Sequence, residues 1–182
     1  LENKIVSPNF KVKCTGKMEL YGQTFHCWKE KGHGFMSLKN AMKQSCDTYF
    51  YEVARLLGVD RLNVTAEKFG LGKKVLGDYY DYEKSGLFPN TKWKKNNLGK
   101  GWVLGETLIT GIGQGYTQTT PLQLCLMTAQ IANGGYSIKP RIVVNNNPMS
   151  LEEAKSKLQE ETLHGQEKKL FKDHKNIKIV QE

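Results

Sequence analysis

Three cysteines and one histidine in the first 46 residues have types and a spacing that could bind a metal ion. They form the series Cys14-x12-Cys27-x5-His33-x12-Cys46. Thiolate and imidazole are preferred ligands of Zn²⁺, and a closed structural site uses four of them in a tetrahedron. Glycines on both sides of His33 would let its loop turn toward the ion. The series therefore favours a zinc site.

Spacing alone leaves two alternatives to a metal site open for these cysteines. In an oxidising compartment Cys14 and Cys27 could form a disulfide across a hairpin, or the cysteines could be separate core residues. His26 is a rival ligand beside Cys27, but in a strand it would face the opposite side. The fourth cysteine, Cys125, lies in the apolar stretch 122–127 and is expected to be a small core residue.

A second group with chemical potential is Ser45-Cys46-Asp47, whose middle residue is also the last member of the cysteine series. A hydroxyl at a joint between two helices can relay a proton, and a neighbouring carboxylate can accept a hydrogen bond from a substrate amide. Asp47 could instead simply cap the following helix. Because Ser-x-Asp is a common triplet, capping is the better interpretation of the triplet considered alone.

Composition favours one globular domain with an ordinary core. Of the 182 residues, 38% are hydrophobic and 25% are charged. No apolar run approaches the roughly 18 residues that a membrane helix needs. The net charge of +9 raises the question of nucleic-acid binding, but the lysines are scattered and are expected to form a solvated surface. We expect no nucleic-acid partner; attraction to an anionic membrane face or polymer is the functional alternative.

Hydrophobic periodicity and turn residues predict strands followed by helices. The expected strands span 10–14, 18–21 and 24–28, with a loop over 29–35. The expected helices span 38–44 after Ser37, 49–57 before Gly58 and 60–69 before Gly70. Residues 72–105 are expected to be irregular. Thr120-Pro121-Leu122-Gln123 is a capping box that starts a helix ending at Asn133. A later strand over 136–144 and a polar helix over 150–163 complete the prediction.

Several motifs in order resemble the class B penicillin-binding proteins of the elongation type, represented by penicillin-binding protein 2. The resemblance covers about residues 1–144 and involves the stretches 25–29, 32–34, 45–51, 58–61, 69–72, 105–108, 111–116 and 120–123. It implies an α+β fold: the mostly helical lobe of a penicillin-binding-protein and serine-β-lactamase-like transpeptidase domain, with a small N-terminal hairpin and one later strand. Within a partial domain spanning 1–182, we expect a strand-rich zinc segment (1–36), a helical core (37–144), and a polar insertion with the start of a truncated helix (145–182).

That family uses three motifs, S-x-x-K, S-x-N or S-x-D, and K-T-G. The chain carries only the second, as Ser45-Cys46-Asp47; its Ser7, Ser37 and Ser85 are not followed by a lysine at the fourth place. The resemblance implies that the first motif would lie before Leu1 and the third beyond Glu182. We therefore expect the chain to be an internal piece of a transpeptidase domain that is inactive alone.

The resemblance also assigns roles to individual residues. Ser45 would belong to the proton relay and Asp47 would position substrate, while the turn Gly113-Gln114-Gly115 would shape the cleft. A turn that merely enters a helix accounts for those glycines equally well. The metal ligands would be Cys14, Cys27, His33 and Cys46, and no organic cofactor is implied.

For the full-length protein, the resemblance implies a peptidoglycan D,D-transpeptidase on the periplasmic side of the inner membrane. Its substrates would be peptidoglycan stem peptides, with β-lactams as inhibitors and a membrane glycosyltransferase and elongation-complex proteins as partners. The alternative is a non-catalytic β-lactam-sensing or scaffold relative of the same fold.

Overall fold

The fold is that of a computed structural model, which describes residues 1–77, 80–140, 152, 156, 169–173 and 175–181. Four short strands precede the helices: β1 (Lys11–Cys14), β2 (Lys17–Leu20), β3 (Gln23–His26) and β4 (Gly34–Ser37). The helices are α1 (Leu38–Lys43), α2 (Asp47–Leu57), α3 (Val59–Lys68), α4 (Thr91–Leu98), α5 (Leu104–Gly111), α6 (Pro121–Ala132) and α7 (Lys175–Gln181). The α+β class expected from the resemblance is confirmed.

The strands form two small antiparallel sheets, and β1 does not pair with β2, its neighbour in sequence. β2 pairs with β3, while β1 pairs with β4 in the register Cys14↔Gly34. Tyr21 and Gly22 join β2 to β3 with φ angles of 48° and 78°, as a type I′ hairpin turn requires. β4 falls in the segment predicted to be a loop, because its pairing is with a distant strand rather than with a sequence neighbour.

Helices α1, α2 and α3 follow the predicted positions closely. Ser37 is the N-cap of α1, although its side chain makes no capping hydrogen bond. Gly58, at φ 81°, ends α2, and α2 packs against α5 and β1. In the described part of the chain, none of the helices has the length and apolar character that crossing a bilayer requires.

The prediction that residues 72–105 are irregular is wrong for two segments. Asn90 caps α4 by accepting a hydrogen bond from Trp93 N at 2.7 Å, and α5 begins at Leu104. Apolar residues do not recur along α4 at helical spacing, because its one buried residue is Lys94, at 5% exposure. Lys94 therefore also departs from the prediction of an entirely solvated lysine surface; it forms an ion pair with Glu106 on α5.

Helix α6 begins as the capping box predicts. Thr120 Oγ1 accepts from Gln123 N at 3.2 Å, and Gln123 Oε1 accepts from Thr120 N at 3.0 Å. Its buried face is made of Gln123, Leu126 and Gln130, so the expectation that Cys125 is a core residue is wrong: Cys125 is exposed.

The remaining predictions fall at the end of the described chain. Tyr136 forms one isolated bridge with Lys169, and residues 137–140 are not strand; 141–144 lie outside the described residues. The helix predicted over 150–163 also lies outside them, apart from residues 152 and 156, which are helical. Glu2 joins the two ends by accepting hydrogen bonds from Lys172 N (2.9 Å) and Asn176 Nδ2 (3.2 Å).

Candidate catalytic motif and metal centre

A close crossing of two loops brings Cys14, Cys27 and His33 together. A Cβ on Gly16 would lie 1.9 Å from Glu30 O, and one on Gly32 would lie 2.3 Å from Cys14 O. Both glycines also have left-handed φ angles, 93° and 75°, which residues with a Cβ rarely adopt. The bond from Cys27 N to Gly16 O, at 2.8 Å, joins the two loops. This crossing therefore depends on glycine at both positions.

Cys46 reaches the same place from the joint between α1 and α2. It is the N-cap of α2, and its own N–H donates to Ala41 O at 2.9 Å. Cys14, Cys27 and Cys46 are all buried, and they belong to the hydrophobic cluster that also contains Met36, Ala41 and Tyr49. The metal-ligand types thus lie where the strands meet the helix joint.

The four side chains lie close enough together to hold one tetrahedral metal ion. The Sγ atoms of Cys14, Cys27 and Cys46 and a ring nitrogen of His33 all lie within 4.8 Å of one another. His33 Nδ1 is 3.6 Å from Cys14 Sγ and 3.5 Å from Cys27 Sγ. Zn–S bonds of about 2.3 Å and Zn–N bonds of about 2.05 Å in a tetrahedron give sulfur-to-nitrogen edges of about 3.6 Å. The donor set and its spacing therefore fit Zn²⁺ at the four predicted positions.

The three thiols converge on one place instead of occupying separate core positions. Cys14, Cys27 and Cys46 are free thiols rather than disulfide partners, and they converge on one place. His26 is exposed at the end of β3, while Cys27 beside it is buried. The prediction that the rival histidine faces away is confirmed.

Electrostatics shift the pKa values of two of the thiols in opposite directions. Burial raises the pKa of Cys14, but hydrogen bonds with Thr48, His33 and the backbone of Gly16 outweigh it and lower the pKa to about 6. Burial, assisted by the nearby Cys14 and Cys27, raises the pKa of Cys46 to about 12. The first thiol ionises readily and then opposes ionisation of the next, whereas a bound divalent ion would compensate all three thiolates.

Two contacts around the cluster were not anticipated from the sequence. The hydroxyl of Thr48 lies 3.3 Å from Cys14 Sγ, which ties the first turn of α2 to β1. His33 Nε2, on the ring edge away from the sulfurs, is buried and has no hydrogen-bond partner in the described part of the chain. Neither Thr48 nor this nitrogen carries a sequence signal, since each depends on the tertiary arrangement.

Ser45 and Asp47 lie directly beside the cluster. Ser45 is exposed and has a φ of 49°, a left-handed conformation that is uncommon for a residue with a Cβ. Asp47 is the first residue of α2, and its Oδ2 accepts a hydrogen bond from Trp28 N at 2.9 Å. Asp47 therefore does not act as the side-chain cap of α2, since the N-cap position belongs to Cys46. The carboxylate of Asp47 instead links α2 to the segment that follows β3.

The turn Gly113-Gln114-Gly115 lies at the C-terminal end of α5. Gln114 N donates to Ile109 O and Gly113 N donates to Thr110 O, both at 3.0 Å. This is a Schellman arrangement with Gly113 at the left-handed position, φ 76°. The turn thus leaves a helix, contrary to the helix-entry alternative. Within the described residues its hydrogen bonds run to α5, and none joins it to Ser45 or Asp47.

Comparisons with known proteins agree with this architecture. The family described as penicillin binding protein transpeptidase domain matches residues 1–177. The chain is 41% identical over 119 residues to the peptidoglycan D,D-transpeptidase MrdA of Acinetobacter baumannii, covering 65% of this chain and 18% of that protein. It is 36% identical over 141 residues to MrdA of Haemophilus influenzae, covering 76% of this chain and 22% of that protein. The chain thus spans about a fifth of the length of these relatives.

Solved structures give the same result. The structure of Pseudomonas aeruginosa PBP2 in complex with WCK 5153 superposes with a TM-score of 0.73 at 36% identity, over 91% of this chain and 40% of that one. Helicobacter pylori PBP2 in complex with MreC gives a TM-score of 0.72 at 33% identity, over 85% and 29%. Since the family match spans nearly all of the described chain, this chain belongs to the penicillin-binding protein transpeptidase domain family.

Proposed function

We propose that this chain is the part of a peptidoglycan D,D-transpeptidase that carries the second catalytic motif, next to a structural zinc site. The observation that carries the proposal is the position of Ser45 and Asp47 on either side of Cys46, one of four converging metal-ligand side chains. In the whole protein a serine from the first motif would attack the peptide bond between two terminal D-alanines, and the acyl group would pass to an amine on a neighbouring strand.

The roles proposed for the two motif residues follow from their surroundings. Ser45 is exposed, so its hydroxyl is free to pass a proton toward a leaving nitrogen. One oxygen of Asp47 already accepts from Trp28 N, and the other has no hydrogen-bond partner among the described residues. That second oxygen could accept the N–H of a substrate amide. We also propose that Gly113, Gln114 and Gly115 shape the cleft.

Zinc would have a structural role in this scheme. Cys14, Cys27, His33 and Cys46 would hold it, and the bound ion would keep the three thiols ionised. The four ligands come from β1, the segment after β3, the loop before β4 and the joint between α1 and α2. These residues would therefore fix the strand segment to the joint on which Ser45 and Asp47 stand.

Labelling with a fluorescent penicillin tests the proposed function. We expect the full-length protein to form a covalent adduct, since β-lactams acylate the nucleophilic serine of this family. The 182-residue chain should form none, because it contains no S-x-x-K. A full-length protein that binds penicillin only reversibly would favour the non-catalytic sensing or scaffold alternative. An adduct on the isolated chain would contradict the proposal.

Location and partners belong to the same proposal. We place the domain on the periplasmic side of the inner membrane, with stem peptides and β-lactams as ligands and with membrane glycosyltransferase and elongation-complex partners. Support comes from the solved complex of Helicobacter pylori PBP2 with MreC. Co-purification of the full-length protein from membranes with such partners, but not from the cytosol, tests this placement.

A further inference from the structure

Trp28 is bonded to both sides of the candidate catalytic motif. Its indole Nε1 donates to Ser45 O at 2.8 Å and to Gln44 O at 3.0 Å. Its backbone N–H donates to Asp47 Oδ2 at 2.9 Å. One residue therefore constrains the main chain at Ser45 and the side chain at Asp47.

The same residue is attached to the metal centre. Trp28 directly follows Cys27, and its ring meets the His33 ring edge-on, with centroids 5.2 Å apart and planes at 69°. Nevertheless 65% of Trp28 is exposed. A largely exposed tryptophan contributes little to the core, so burial does not account for its fixed orientation.

The backbone of Ser45, which accepts the indole hydrogen bond, lies where the chain leaves α1. Its φ of 49° lies in the left-handed region, and such a conformation persists in a residue with a Cβ only where its surroundings enforce it. The N–H of Ser45 makes a long bond to Met42 O, at 3.3 Å. The short bond to its carbonyl oxygen comes from Trp28. Ser45 occupies the left-handed position of a Schellman arrangement at the end of α1, since Cys46 N also donates to Ala41 O at 2.9 Å. The indole adds a further bond to this turn, at the carbonyl oxygen of Ser45.

We propose that Trp28 is a positioning residue that holds Ser45 and Asp47 in their working geometry and links that geometry to the metal ligands. This inference rests on the proposed function, because it concerns the same motif. The exposed face of the ring also lines an open cavity of about 530 Å³ beside Ser45, together with Lys29, Lys43 and Gln44. A rigid wall at this place would keep the approach to Ser45 constant.

Trp28→Phe is the informative variant, since it keeps an aromatic ring and deletes the indole donor. Trp102→Phe is the matched control, because Trp102 Nε1 donates a similar bond, 2.8 Å, to Thr107 Oγ1 far from the motif in sequence. Native-state amide exchange of Cys46, whose N–H is bonded to Ala41 O, reports local opening of the joint. We expect exchange about fivefold faster in Trp28→Phe and unchanged, at equal global stability, in Trp102→Phe.

A coupling measurement separates positioning from general support. Glycine adopts positive φ freely, so in a Ser45→Gly background the joint needs the indole less. Trp28→Phe should then accelerate Cys46 exchange by only about twofold or less. Equal acceleration in both backgrounds would overturn the inference, and so would exchange that Trp28→Phe leaves unchanged. If Trp28→Phe alone does not fold, Cys46 exchange is compared between the double variant Trp28→Phe/Ser45→Gly and the single variant Ser45→Gly.

The full-length protein supplies the catalytic readout. We expect Trp28→Phe to lower the rate constant of penicillin acylation about tenfold while leaving the constant for reversible binding within about twofold. If penicillin does not label the full-length wild-type protein, the proposed function is refuted. The amide-exchange experiment would still decide the role of Trp28. If penicillin labels the wild type and acylates the Trp28→Phe variant equally fast, only the positioning role of Trp28 is refuted.

Discussion

The two glycines that flank His33 allow a sharp test of the loop crossing. Gly32 and Gly34 have almost the same φ, 75° and 76°. A Cβ on Gly32 would lie 2.3 Å from Cys14 O and 2.7 Å from Thr15 C, whereas a Cβ on Gly34 would meet nothing within 4 Å. Alanine at the two positions therefore imposes the same backbone strain but a steric clash at only one.

The magnitudes follow from that difference. Left-handed φ costs a residue with a Cβ about 1–2 kcal/mol, which is the loss expected for Gly34→Ala. Gly32→Ala adds displacement of packed backbone, about 1–3 kcal/mol, for a total loss of about 2–5 kcal/mol. Since the displaced atom belongs to Cys14, Gly32→Ala should also weaken zinc binding, by about tenfold or more. Gly34→Ala should leave zinc affinity within about threefold.

Urea unfolding of the zinc-loaded chain measures the first quantity, and competition with a chromophoric chelator measures the second. The m-value should be unchanged in both variants, so that midpoint shifts report stability. Equal losses of stability, together with wild-type zinc affinity in Gly32→Ala, would refute the inferred crossing.

Two further predictions concern the packing of α5. Burial raises the pKa of Glu106, but hydrogen bonds with Lys94 and Val103 N and the charge of Lys94 outweigh it, so the pKa lies below its ordinary value of 4.5. The stability that ionised Glu106 contributes is therefore complete above about pH 4.5. It is lost as the pH falls through the lower pKa that Glu106 has in the folded state. Glu106→Gln should lower the free energy of unfolding by about 3 kcal/mol at pH 7, because Lys94 stays buried without its counter-charge. The variant should also lose less stability than the wild type as the pH falls into the acid range. A stability–pH profile equal to that of the wild type would contradict this. Gly111→Ala should cost about 2 kcal/mol by calorimetry, because its Cβ would lie 2.4 Å from Ala54 Cβ on α2, and a stability equal to wild type would contradict that helix contact.

Local chemistry made much of the helical lobe predictable. Gly58 ends α2 and the capping box at Thr120 starts α6 because both signals act within one turn of the chain. α4 was missed for the opposite reason: its buried position is a lysine, so no apolar period marks it. β4 was missed because Gly34 pairs with Cys14, twenty residues earlier.

The candidate site divides in the same way. The residue types of the cysteine series pointed to the four side chains that converge in the structure, because thiols and imidazoles are the donor types that zinc sites use. The part played by Trp28 could not be predicted, because it depends on how the segment after β3 crosses the α1–α2 joint. Apolar neighbours predict a core position for Cys125, but the buried face of α6 runs through Gln123 and Gln130 instead.

We propose that Cys14, Cys27, His33 and Cys46 form one metal site, which fixes the Ser45-Cys46-Asp47 triplet. Its most direct test is the metal content of the purified chain, measured by elemental analysis beside Cys46→Ser and, as a control cysteine outside the cluster, Cys125→Ser. We expect about one zinc per chain in the wild type and in Cys125→Ser, and well under half an equivalent in Cys46→Ser. Less than about half an equivalent in the wild type, or full occupancy in Cys46→Ser, would contradict the claim.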